Sequence, residues 1–150
     1  MIKKRPRRFD RFYIQEPVFY ITCCTLDCRP IRELGVAHRA FAHYGERAQE
    51  RNIAVGRYVL MPDHFHLFLK GDADFMLSRW IGGLKRAMAV ELGCRSGELW
   101  QPGFFDHVLR SDESYAGKWN YVRENPIRAG LVSSADEWPY QGEIVIIDRV

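Results

Sequence analysis

Apolar residues crowd four short stretches of this chain and recur at three- to four-residue spacing along three longer ones. "PVFYITCCTLD" (17–27), rich in aromatic and β-branched residues, predicts a buried strand. In 31–51 the residues Ile31, Leu34, Phe41, Tyr44 and Ala48 follow a helical stripe. "IAVGRYVLMP" (53–62) predicts a second strand, "PD" a tight turn, and "HFHLFLKG" (64–71) a third strand returning beside it. A second helix is expected over about 74–92, with Met76, Trp80, Leu84 and Ala87 on one stripe, and a fourth strand within 99–110 after Pro102 and Gly103. Ser111, Asp112 and Glu113 read as the N-cap and acidic first turn of a third helix that stops at "NP". The tail, 131–150, reads as a loop and a short edge strand. This order predicts one α+β domain over 1–150, a ferredoxin-like sandwich with an antiparallel sheet, helices on one face and a tyrosine-bearing C-terminal helix.

The apolar third strand carries two titratable rings. Strand side chains alternate, so His64 and His66 share a face while Phe65 points the other way. Two imidazoles about 7 Å apart along a strand can converge on one divalent cation. Two hydrogen-bonded core histidines would look the same, and two ligands are too few for a metal. On the third helix Tyr115, Trp119 and Val122 form the stripe that packs on the sheet. Tyr121 and Asn125, i and i+4, lie on an adjacent face with Lys118 between them in projection.

Charge adds a second theme. The net charge of +3 is mild, but the N-terminal arm (1–12) concentrates Lys3, Lys4, Arg5, Arg7, Arg8 and Arg11 against Asp10. Such an arm suits a phosphate backbone or an anionic membrane, or is only a solubilising terminus. Arg79 and Arg86, seven apart on the second helix, are further candidate phosphate contacts. No apolar run approaches the roughly 20 residues of a membrane span, and no apolar segment follows the charged start as in a secretory signal. Cys23, Cys24, Cys28 and Cys94 lack zinc-finger spacing and are expected to be reduced structural thiols in a cytoplasmic protein.

"VLMPDHFHLFLK", "WQPGFFDHVLR" and "YVRENPIRAGLV" together resemble the single-tyrosine HUH transposases, and within them the REP-associated tyrosine transposases. The resemblance covers about 19–138. It implies a metal-dependent endonuclease and strand transferase acting on single-stranded DNA with hairpins of the repetitive palindrome type. Tyr121 would be the nucleophile, forming a 5′-phosphotyrosine, and His64, His66 and Asn125 would hold Mg²⁺ or Mn²⁺. Lys118 is a candidate aid to deprotonation or DNA contact, and a monomer is expected. His107 matches a position where the branch tends to carry His, but no role is assigned to it and a satisfied core histidine is the simpler reading. Rival readings are a DNA-binding regulator that has lost catalysis, a water-using metallohydrolase with Tyr121 structural, and a basic RNA-binding module.

Overall fold

Alternation of side chains along the central strands sets up two unlike faces of one sheet. The computed structural model describes residues 17–110 and 114–147. Its strands are β1 (Phe19–Cys24), β2 (Ala54–Met61), β3 (His64–Lys70), β4 (Phe105–Val108) and β5 (Gln141–Glu143). They align in the order β4-β1-β3-β2-β5 with every pairing antiparallel. The helices are α1 (Leu34–Arg47), α2 (Leu77–Glu91), α3 (Ser96–Leu99), α4 (Tyr115–Val122) and α5 (Asn125–Arg128). The first four strands and the two long helices reproduce the ferredoxin-like order, and β5 extends the sheet beside β2.

On one face, β3 presents Phe65, Leu67 and Leu69, all buried together with Ile21 and Cys23 of β1. Helices α1 and α2 close this side. Phe41 packs 4.4 Å from Tyr58 and 5.5 Å from Phe65, and Trp100 meets Phe65 edge-on at 5.2 Å, centre to centre. Lys85, on the apolar side of α2, is buried because its Nζ donates to the carbonyls of Gln101 and Gly103, both at 2.9 Å. Trp100 Nε1 donates back to the Lys85 carbonyl at 2.9 Å. The lysine thus fixes the loop that leads into β4.

On the other face, Phe68 receives α4: the Tyr115 ring lies 4.8 Å away and Trp119 6.4 Å. The helix docks where β2 and β3 slip register between Val55 and Tyr58. There the Arg57 amide donates to the Tyr115 hydroxyl at 2.8 Å. That hydroxyl occupies the space a Cβ on Gly56 would need, so only glycine fits beneath the helix. Gly56→Ala is expected to destabilise the fold by about 1–3 kcal/mol in urea unfolding. Tyr115→Phe in the same chain should recover part of that loss by removing the clashing oxygen. Purely additive effects of the two substitutions would count against this docking.

Helix ends depart from the sequence pattern. The first helix starts at Leu34, not Ile31, and its last turn is 3-10 over Ala48–Arg51. The short α3 was not anticipated. The third helix is capped by Ser114, whose hydroxyl accepts from the Gly117 amide at 3.0 Å, while the cap expected at Ser111 with Asp112 and Glu113 lies outside the described residues. That helix ends at Val122, and Asn125 opens a separate turn with Pro126 in its first positions. Tyr121 and Asn125 are therefore not one i, i+4 pair on a continuous helix. Proline lacks the amide that would have continued the ladder, and its fixed φ suits the start of a new turn.

Candidate active site

His64 and His66 project side by side from β3, their rings 4.8 Å apart centre to centre and nearly perpendicular. This is closer than the roughly 7 Å between their backbone positions, so the rings converge. Each has its Nδ1 engaged. His64 Nδ1 lies 2.7 Å from the Asp63 carboxylate, which can only accept, so Nδ1 carries a proton and Nε2 is the nitrogen left for a ligand. His66 Nδ1 lies 2.8 Å from the Tyr20 hydroxyl and 2.9 Å from the Thr22 hydroxyl, both on the neighbouring strand. The Tyr20 ring stacks beside His66 at 5.4 Å.

Burial, with His64, Arg128 and Lys118 alongside, pushes the His66 imidazole down to about 3 from its ordinary 6.5. It is neutral at physiological pH, the form that ligates metal. Asn125, half-buried, donates from Nδ2 to the Val122 carbonyl at 2.7 Å. That bond orients the amide and leaves Oδ1 as the group free to accept. His64 and Asn125 line one cleft of about 530 Å³, together with Asp63, Cys28 and Arg128. Among the described residues no three His, Cys, Asp or Glu side chains gather into a metal-holding group. A cation at this cleft would draw on the two Nε2 atoms and the Asn125 oxygen, and the oriented imidazoles and amide fit such an ion chemically.

Tyr121 stands at the exposed end of α4, 62% accessible. Arg128, reaching back from α5, lays its guanidinium 4.2 Å from the Tyr121 ring centre and donates to the Tyr121 carbonyl at 2.8 Å. Lys118 Nζ sits 4.9 Å from the centre of the Tyr20 ring. Tyr20 feels the charge of both Tyr121 and Arg128, and its phenol is raised mainly by burial. One neighbourhood thus joins the two histidines, Tyr20, Lys118, Arg128, Tyr121 and Asn125. Tyr115 differs from Tyr121: it is buried, its hydroxyl is spent on the Arg57 amide, and burial drives its phenol well above the ordinary value.

Arg79 and Arg86 lie on α2, in the layer on the opposite face of the sheet, where they line a groove with Arg51 and Tyr44. The structure does not bring them to the histidines. Lys3, Lys4, Arg5, Arg7, Arg8 and Arg11 lie outside the described residues. His107 is not a core residue: it is exposed on the edge strand β4, directly across from Tyr20. The outermost position of β4 in the sheet leaves this side chain exposed. All four cysteines are free thiols; Cys23 is buried, and Cys28 reaches the cleft.

Sequence reasoning missed Tyr20, Thr22, Asp63 and Arg128. The first two left a signal, a pair of polar groups two apart inside an apolar strand. Arg128 left only its spacing, seven residues after Tyr121.

The family described as "Transposase IS200 like" matches residues 19–125. The chain is 26% identical over 136 residues to the REP-associated tyrosine transposase of Escherichia coli (strain K12), spanning 88% of this chain and 79% of that protein. A relative from Haemophilus influenzae is 28% identical over 96 residues, spanning 54% of this chain and 53% of that protein. Its fold is similar to that of a REP-associated tyrosine transposase solved bound to a REP hairpin: TM-score 0.71 at 21% identity, over 94% of this chain and 82% of that one. No helix of the described residues is long and apolar enough to cross a membrane.

Proposed function

The chain belongs to the family of IS200-like transposases, and from that premise we propose that it cuts and rejoins single-stranded DNA bearing a palindromic hairpin, with Tyr121 as the nucleophile. The observation that carries the reading is a pair of imidazoles 4.8 Å apart, one of them lining a cleft with the oriented Asn125 amide, and an exposed tyrosine joined to that cleft through Arg128. The hairpin substrate follows the relative seen with a REP hairpin.

His64, His66 and Asn125 would hold Mg²⁺ or Mn²⁺, which when bound supplies positive charge and orientation at the scissile phosphate. Tyr121 Oη attacks phosphorus in line; its bond to phosphorus forms as the bond to the 3′-oxygen breaks. The phenolic proton departs, and the leaving 3′-oxygen takes one up to become a hydroxyl. The 5′-phosphotyrosine conserves the phosphodiester bond, so another 3′-hydroxyl can reverse the step without a nucleotide cofactor. Arg128 braces the tyrosine ring and faces an incoming phosphate with positive charge, while Lys118 offers a second cation on the same side. Asp63, Tyr20 and Thr22 hold the imidazoles in orientation, so little reorganisation is left for the reaction.

The test is a denaturing gel of the full chain with hairpin DNA labelled on its 3′ side. A slow, label-bearing adduct is expected with Mn²⁺ or Mg²⁺ and not with chelator. Cleavage without adduct would identify water as the nucleophile, and binding without any cleavage would leave a DNA-binding regulator.

A further inference from the structure

We propose that Phe105 of β4 is a stacking platform for an unpaired DNA base beside the scissile phosphate, a site that rests on the nuclease reading above and adds to it. Sheet register places it there. Thr22 pairs with His66 on one side and with Phe105 on the other, so the three side chains form one row across the sheet. The Thr22 hydroxyl reaches His66 Nδ1, which fixes this row on the face of the histidines. Two strand spacings put Phe105 about 10 Å from His66 along the row. In the next row Phe68, Tyr20 and His107 follow in the same order.

Exposure separates Phe105 from the Phe and Tyr rings that share these rows. Phe68 is fully buried under α4, whereas Phe105 is 66% exposed. The strand that carries it is nonetheless firmly held. Lys85 binds the carbonyls of Gln101 and Gly103, the Gln101 amide donates to the Cys24 carbonyl at 3.0 Å, and the Leu109 amide donates to the Val18 carbonyl at 2.9 Å. A flat apolar ring is thus presented rigidly to solvent at the end of a row that begins at the histidines.

The surroundings suit a base. The register sets Thr22 across from Phe105, Tyr20 and Cys24 diagonal to it and His107 two residues along its own strand, so polar atoms stand about the ring. Specific contact between two copies of the chain takes about 800 Å² on each side, far more than this ring offers. A base needs one π-face to stack on and polar groups at its edge, and stacking of this kind tolerates any sequence. Lys118, over Tyr20, supplies positive charge beside the backbone that would link such a base to the cleft.

Affinity for two DNAs tests the assignment in the full chain: a blunt hairpin, and the same hairpin with a single-stranded flank across the cleavage position. Phe105→Leu is expected to weaken binding of the flanked hairpin about tenfold and to leave the blunt one unchanged, and Phe105→Tyr to bind both as the wild type does. 5-Iodouracil walked through the flank should crosslink to residue 105 at one position. Wild-type affinity in Phe105→Leu overturns the platform, as does an equal loss on both DNAs or a wild-type dimer that Phe105→Leu dissociates. If the wild type still forms its covalent adduct in that case, the platform alone fails. If the wild type forms no adduct and does not distinguish the two DNAs, the nuclease reading fails with it.

Discussion

Tyr121→Phe is expected to abolish the covalent protein–DNA adduct and to lower strand cleavage by at least about a thousandfold, because it removes the only atom the proposed mechanism uses to attack phosphorus. The substitution is clean. The phenylalanine ring keeps its place beneath Arg128, and an exposed hydroxyl contributes within about 0.5 kcal/mol to stability. Hairpin affinity is therefore expected to stay at the wild-type level. Tyr115→Phe is the control with the opposite profile. It leaves the Arg57 amide without its acceptor, at an expected cost of about 1–3 kcal/mol in stability, and should still form the adduct. Unfolding curves and denaturing gels on the two variants give a crossed result: one loses chemistry and keeps stability, the other the reverse. An adduct that survives Tyr121→Phe sinks the assignment of the nucleophile.

How much of this was legible in the sequence depends on the range of the interaction that decides it. The convergence of His64 and His66 and the opposite course of Phe65 follow from the two-residue period of a strand, a local rule, and the structure keeps it. The ferredoxin-like order follows from element order in the same way. Asn125 was read as an extension of the tyrosine helix because a helical wheel assumes an unbroken ladder. The chain breaks at Val122 and restarts with Pro126, yet Asn125 still reaches the cleft of His64, through a turn rather than a helix face. The hydrogen bonds that join Tyr20 and Thr22 with His66 span 46 and 44 residues and depend on the register of β1 against β3, which no local pattern encodes. His107 was misleading for a related reason, and Lys85 shows the same effect in reverse. Residue type suggests a solvated lysine and a buried histidine, whereas two carbonyls draw the lysine inside and an edge position leaves the histidine out.

His66→Gln should disable the site at a different link, and its readouts separate ligation from packing. Glutamine keeps a polar group near Tyr20 and Thr22 but offers no imidazole Nε2 to a cation. Mn²⁺ affinity measured by calorimetry is expected to fall at least about 10- to 100-fold, and metal-dependent adduct formation with it. Stability against pH gives an independent signature. The folded imidazole is held at about 3 by burial and by His64, Arg128 and Lys118, against 6.5 in the unfolded chain. Above 6.5 neither state carries the proton, and the contribution to stability is complete. As the pH falls from 6.5 toward 3, only the unfolded chain takes up a proton, so the wild type loses stability through that window. His66→Gln removes this uptake and flattens the acid side of the curve. A slope from His38, also held low by burial, remains. A variant that keeps the full acid slope would show that His66 is not buried as described. One that flattens the slope yet binds Mn²⁺ as the wild type does would leave His66 a packed core residue, and the metal, if any, to other ligands.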